Sequence, residues 1–364
     1  MLLQPLNELT LTLQIKAESP LLIKEGRYAE DQKTQWSDQV VQQLAGSRQG
    51  REAERQRKEI KARFPSSIPI SRNSKDEIEA AIKADDPLEK VNRLRFYVPG
   101  SSTRGAWRSY LERWLRGFAP EEPRVCDPLE DKEDREFYSC SGYLSKRKVA
   151  VPAYANSCPV CRLFGNSGQG SRIAISDADR VNGVPRLGNV VSREHINIQR
   201  HNQQVKTPPG PFKFFALQDV EFLFTVRIRN FELIQVALVG EAIKAVAEHR
   251  ILLGSGKSKG YGAVVFTRFG ADLMQFGANA SGKELRGIAE HPACTPAMRE
   301  RYGLKAGVPV ALPKAAWKQE TPWRWSTQFE YAEFDPVASE LAKQIDRMWP
   351  DVAKLSDRPQ EATA

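Results

Sequence analysis

The 364-residue sequence is poor in the residues on which most hydrolytic and redox chemistry depends. Its four histidines, His195, His201, His249 and His291, include no pair at H-x-x-x-H or H-E-x-x-H spacing, which removes the helix-borne zinc hydrolases. There is no G-x-S-x-G elbow; "PGSSTRG" (99–105) does not supply one, so the α/β-hydrolase nucleophile is missing as well. No apolar run approaches the roughly eighteen residues needed to cross a bilayer. "MLLQPLNELTLTLQIKAESP", at the start, has neither a basic n-region nor an apolar h-region, so no signal peptide is expected. These absences predict a cytoplasmic protein with no membrane association. Cysteine is scarce and odd in number (five), which argues against a disulfide framework in that compartment.

Positive charge is what the sequence has in excess. Lys and Arg number 54 against 45 Asp and Glu, a formal net charge of +9, which suits nucleic acid or another acidic surface. The glycine-rich stretch "RILLGSGKSKGYGAVVF" (250–266) interleaves Gly254, Gly256, Gly260 and Gly262 with Lys257 and Lys259. Gly256-Lys257-Ser258 resembles the end of a P-loop, but Ile251 stands where the first P-loop glycine belongs. What remains is a loop built for close backbone approach to an anion.

Four of the five cysteines lie close together in the chain. Cys126, Cys140, Cys158 and Cys161 have the spacing C-x13-C-x17-C-x2-C, and the fifth is Cys294. Two thiolates on a knuckle with two from a neighbouring loop can complete a closed, structural tetrahedral zinc site. A thioredoxin-like redox pair and plain reduced thiols are the rival readings. The redox reading requires Cys158 to open a helix after a strand, whereas "PAYANS" precedes it.

The element pattern is legible in outline. "LTLTLQI" (9–15) alternates as a half-buried strand does, and "DVEFLFTVRIRN" (219–230) is the clearest strand of all. "RLRFYVPGSSTRGAWRSYLERWLRGF" (93–118) predicts a short strand, N-cap candidates from Ser101 to Thr103, and a helix anchored by Ala106, Tyr110, Leu111, Trp114 and Leu115. Arg104 and Arg108 in its first turns would strengthen the anion attraction of a helix N-terminus. "SRIAISDA" (171–178) reads as a strand, "VVSREHINIQRHNQQVKTPPGPFKFFAL" (190–217) as a hairpin arm with a basic tip, and 231–254 as a helix closed by a glycine C-cap. Within that arm His195 and His201 are expected to be RNA-facing or solvated rather than general bases.

Stripped of insertions, the order approaches β-α-β-β-α-β, an α+β ferredoxin-like arrangement shared with RRM-type RNA binders. The expected organisation is a core over 1–269, holding a charged helical insertion (39–92), a cysteine-rich insertion (119–171) and the hairpin (190–217). A C-terminal appendage (270–364) follows, with a disordered end at "SDRPQEATA".

Taken in order, "YVPGSSTRGAWRSYLE" (97–112), "CPVCRLFG" (158–165), "RIAISDA" (172–178), the 190–217 arm and "LLGSGKSKGYGAVVF" (252–266) resemble the RAMP superfamily of CRISPR-associated proteins. The nearest likeness is to the backbone subunits of type III effector complexes. The resemblance implies a grip on the guide RNA backbone through Gly254, Ser255, Gly256, Lys257, Ser258, Lys259 and Gly260. It implies the same for Ser101, Ser102, Arg104 and Arg108 at the helix start, for Arg172, and for Arg200, His201 and Lys206 on the arm. That arm is similar to the thumb that wedges into the guide–target duplex, and the cysteines to a zinc-bound insertion.

Catalytic relatives cut target RNA with an aspartate before the P-G-S-S element and a divalent metal. Here Asp86 and then Asp31 are the candidates, with Mg2+; Asp38 and Asp85 lie beside them. Glu89-Lys90-Val91 stands where the family often places that aspartate. The expected partners are CRISPR guide RNA, complementary target RNA and other subunits of the complex. Three readings follow: a guide-binding scaffold, the same scaffold acting as an endoribonuclease, and a metal-independent enzyme that processes precursor CRISPR RNA.

Overall fold

The computed structural model describes residues 4–24, 71, 76, 80, 93–118, 125–127, 139–145, 152–181, 189–196, 198–201, 203–205, 212–277, 284–312, 317–322 and 324–350. Asp31, Asp38, Asp85, Asp86 and Lys206, nearly all of the 39–92 insertion and the final "SDRPQEATA" lie outside these residues.

The alternating N-terminal pattern forms β1 (Asn7–Ala17), with Leu9, Leu11, Leu13 and Ile15 buried on one face and polar residues on the other. This strand is central because it pairs on both sides. β7 (Glu221–Arg229) and β8 (Val264–Phe276) both lie antiparallel to it. β3 (Ile173–Ile175) and β4 (Ala178–Arg180) both pair antiparallel with β7, and β2 (Tyr97–Val98) pairs with β4. The protein is therefore α+β with an antiparallel sheet among the described strands. Two helices run between the strands nearest β1: α1 (Gly100–Arg116) and, after the short α2 (Cys140–Ser145) and α3 (Pro159–Phe164), α4 (Leu233–Ala247). Twelve of the fifteen residues of α4 are buried, a helix enclosed on nearly every side. β5 (Val190–His195) and β6 (Phe212–Leu217) form a separate antiparallel pair, and a bridge from Leu21 to Leu217 ties it to the chain after β1.

The expected boundary at 269/270 falls inside β8. The chain beyond it makes β9 (Glu284–Leu285), helix α5 (Pro296–Tyr302) and β10 (Val310–Ala311) before returning to the sheet. β12 (Arg324–Phe329) pairs with β8 from Phe276 to Ala271, and β11 (Lys318–Thr321) pairs with β12. Helix α6 (Tyr331–Ala342) then packs Phe334 and Ala338 against Gly240 of α4, and α7 (Ile345–Met348) follows it. The C-terminal segment thus adds β12 and β11 to the same sheet, and β12 covers the edge that β8 would otherwise leave open. Trp349 is buried there, while Trp317 and Trp325 are partly covered.

Two local expectations also change. α4 stops at Ala247, and His249 takes the left-handed turn (φ 57°) that glycine was expected to supply. α1 buries Trp107, a fully enclosed anchor the periodicity missed, and leaves Tyr110 and Trp114 half-buried.

Gly240 is where the α4–α6 contact is tightest. A Cβ there would lie 2.3 Å from the Ala338 Cβ. Ala in a helix is ordinarily favoured over Gly by ~1 kcal/mol. Here the overlap is expected to reverse that sign, so that Gly240→Ala destabilises by about 1–3 kcal/mol and Ala338→Gly in the same chain recovers part of the loss. Thermal melts of the two single variants and the double variant check this.

Candidate metal centre and nucleic-acid surface

Cys158 caps the N-terminus of α3: its Sγ accepts from the Cys161 amide at 3.5 Å, with Pro159 at the first helical position. This short turn directs both knuckle thiols to one side. Cys126 and Cys140 arrive from separate segments, and the four Sγ atoms lie within 4.8 Å of one another. Cys126 Sγ is 3.5 Å from Cys161 Sγ and 3.7 Å from Cys158 Sγ. Four sulfurs placed tetrahedrally at about 2.3 Å from a zinc ion are about 3.8 Å apart, so the donors fit such an ion with a small contraction of the wider pairs. All four cysteines are buried. The Cys158 and Cys161 thiols are pushed up, first by the Cys126 thiol that each contacts, then by Cys140 and burial. A cation would reverse that preference and take them as thiolates. The C-x2-C pair does open a helix, as a redox pair would, but the approach to it is a turn at 153–156 and not a strand. Four converging thiols are the geometry of a metal-holding cluster.

The start of α1 differs from the sequence expectation. Ser101 is exposed and Ser102 half-buried, but neither caps the helix; Pro99 is the N-cap, and Asp177 Oδ1 accepts from the Gly100 amide at 2.7 Å. Asp177 follows "RIAIS", so pairing of the strands was needed to find it. Arg104 and Arg108 turn toward the cysteine centre. Arg104 donates to the Phe164 carbonyl; Arg108 donates to Gly165 O at 3.1 Å and Glu112 Oε1 at 2.8 Å, and its Nη2 lies 3.5 Å from Cys161 Sγ. Burial lowers the Arg108 pKa, but Glu112 and the Cys161 charge outweigh it and the net shift is upward.

A buried polar network fastens the cysteine segment to the core. Arg162, on α3, donates to Ser157 O, Ala155 O and Gly303 O and faces the Glu232 carboxylate at 3.4 Å, with both side chains almost fully enclosed. The Tyr154 hydroxyl donates to Glu232 Oε1 and accepts from Gln235 Nε2 at 3.0 Å. Burial, then the Glu232 charge, raises the Tyr154 pKa. Arg172 stacks over Tyr154 at 4.4 Å and donates to the Asn230 carbonyl; with Arg227 and Arg229 it lines a groove of about 440 Å³.

The glycine loop and the hairpin, separate in sequence, meet in space. Gly254, Gly256, Gly260 and Gly262 all have positive φ (78° to 91°), and Lys257–Lys259 forms one 3-10 turn between them. At Gly254 a Cβ would come within 2.5 Å of Leu22 O, so the close approach is to the protein's own chain. Ser255 is half-buried, while Lys257, Ser258, Lys259 and Gly260 are exposed. Beneath them Tyr261 is bonded through its hydroxyl to His195 Nε2 at 2.8 Å. Lys24 and Lys259 stand over the Phe214 ring at 4.5 and 5.4 Å. Desolvation, then Lys259 and Arg193, lower the His195 pKa; desolvation and Arg113 lower that of Lys257. The cations crowd one another, which is the condition an arriving polyanion relieves. Arg113, Arg193, Phe214, Lys24 and Tyr261 were not singled out by sequence; the tyrosine within the glycine run and the aromatics of "KFFAL" were the available signals. Arg200 and His201 are exposed at the far end of the arm, near exposed Ile196, Ile198 and Val205.

These elements define a class: a basic α+β sheet protein with a four-thiol cluster and a lysine-rich loop seated on a hairpin. The sequence profile of the RAMP superfamily matches residues 14–265, more than half of the chain, and the chain belongs to that superfamily. Membership brings a CRISPR-associated, RNA-binding role, in a family whose members act in multi-subunit complexes. No match is found among curated proteins. Among the described residues no helix is long and apolar enough to cross a membrane.

Two outcomes follow from this geometry. Because the Cys158 and Cys161 thiols are pushed up in the metal-free centre, loading with a divalent ion should release protons. Affinity for that ion should therefore fall as pH falls, which titration calorimetry in buffers of different ionisation enthalpy checks. Arg162→Met leaves the Glu232 carboxylate buried without its cation and should destabilise by about 3–5 kcal/mol, with Arg162→Met/Glu232→Gln recovering much of that in denaturant melts.

Proposed function

We propose that this protein is a guide-binding backbone subunit of a type III CRISPR effector complex, working in the cytoplasm. It grips the RNA by its phosphate backbone without reading sequence. The observation that carries this is the convergence of the 254–262 loop and the 190–217 hairpin into one basic, aromatic-backed surface around Phe214. Lysines beside an aromatic ring suit a partner with a continuous anionic backbone and bases of any identity, the combination a subunit that accepts any guide requires. The hairpin's exposed Ile196, Ile198 and Val205 suit the thumb role, an apolar edge placed against stacked bases.

The strand order β8-β1-β7-β3/β4, with α1 and α4 as the crossovers, supports a ferredoxin-like core, and the inter-sulfur distances support zinc as the ion. Cleavage of target RNA rests on Asp86 and Asp31 and is an outcome of the same experiment.

The chain is co-expressed with its genomic neighbours and a CRISPR array, and the assembly is purified. Bound guide RNA is expected, and Lys257→Ala/Lys259→Ala should lower the slope of log affinity against log salt by roughly 1.4, about 0.7 for each phosphate no longer neutralised. An assembly without guide RNA would sink the proposal. Magnesium-dependent cuts in complementary RNA that vanish in Asp86→Ala or Asp31→Ala would add endoribonuclease activity to it.

A further inference from the structure

Along α1, residues 104, 108, 112 and 116 are four apart and fall on one helix face. They are Arg, Arg, Glu and Arg, and the face they form is turned toward the cysteine centre. Arg108 Nη2 reaches Cys161 Sγ itself at 3.5 Å. Arg104 donates to the carbonyl of Phe164, the last residue of the helix that Cys158 caps, and Arg116 Nη2 donates to Cys126 O at 2.8 Å. Glu112 is buried and holds Arg108 Nε at 2.8 Å, which fixes the guanidinium plane with its other nitrogens directed at the knuckle.

A divalent ion held by four thiolates carries a net double negative charge, and this one is enclosed, where an uncompensated charge is costly. Three guanidinium groups on the facing stripe, less the carboxylate of Glu112, leave two positive charges. We propose that Arg104, Arg108 and Arg116 are the built-in counter-charge of the thiolate centre, and that Arg108, through its N–H···S contact, is the residue that orients and retains the metal site. These arginines then act on the metal, not on RNA phosphate. The inference rests on the cysteines holding a divalent ion.

The test uses the zinc-loaded chain and a chromogenic chelator in excess, with the release rate as readout. A Co2+-substituted sample provides the thiolate-to-metal charge-transfer band. Arg108→Gln is expected to release metal at least tenfold faster, within the roughly 10–100-fold range typical of outer-shell partners, and to shift that band. Arg108→Lys, which keeps the charge but not the fork, should fall between the two. In both variants the salt slope of guide RNA binding should match the parent chain. An unchanged release rate with an unchanged band would overturn the proposal. So would an unchanged release rate with a salt slope reduced by about 0.7, which would make Arg108 a phosphate ligand. Should Arg108→Gln not fold, Arg108→Lys carries the comparison alone, with a release rate equal to the parent's overturning the proposal. A parent chain that takes up neither ion contradicts the metal reading itself, distinguishably from the failure of the arginine assignment.

Discussion

The Arg162–Glu232 ion pair is the constraint on which the functional end of the molecule depends. Burying two charges is costly, and here the cost is offset by completeness: Arg162 also donates to three backbone carbonyls, and Glu232 also accepts from Tyr154. The network adds polar ties among four parts of the chain. These are the turn at 153–156, the knuckle helix, the N-terminus of α4 and the Gly303 turn beyond β9. Glu232 is also the N-cap of α4, closing a capping box with Gln235, so the pair fixes where that helix begins. A hydrophobic contact could have held these parts together, but could not have specified their register so narrowly.

From that anchor, position passes outward along α1. The helix is held at one end by Asp177 and the cysteine segment, and along its middle by Trp107 and Leu111 in the core. Tyr110 donates to Glu241 at 2.9 Å, and Glu241 also pairs with Arg250 just before the glycine loop. Burial, then the nearby Arg113, lowers the Lys257 pKa. One face of α1 thus meets the four-thiol centre along its length, while Arg113, near its C-terminus, reaches toward the basic loop.

Much of this was legible in the chain. Period-two alternation located β1 and β7, and cysteine spacing located the four-thiol cluster, because both depend on local order. The glycine loop was recognisable for the same reason. What was hidden depended on pairing at a distance. The two arginines of "STRGAWR" look like anion ligands until the knuckle folds against them and takes their donors. β12 and β11 carry charged and mixed residues, Arg324 and Lys318 among them, which give no clear strand signal; only the unpaired edge of β8 calls for them. Tyr261 and His195, 66 positions apart, could not be joined without the hairpin.

The outward face of the two central strands lacks the rings on which open-sheet RNA binders stack bases. The outward-facing positions of β1 are the half-buried Glu8, Thr10, Thr12, Gln14 and Lys16, beside the exposed Leu223, Thr225, Arg227 and Arg229 of β7, with no aromatic among them. Arg227 and Arg229 are both paired to Glu8, and Gln14 to Glu221. Stacking of bases needs rings, and the rings are at the loop and hairpin. The measurement that bears most directly on this is ultraviolet cross-linking of guide RNA within the purified assembly, mapped to single residues by mass spectrometry. Cross-links at Lys257, Lys259, His195 and Phe214 are the predicted result. Cross-links confined to the outward faces of β1 and β7 would contradict the account.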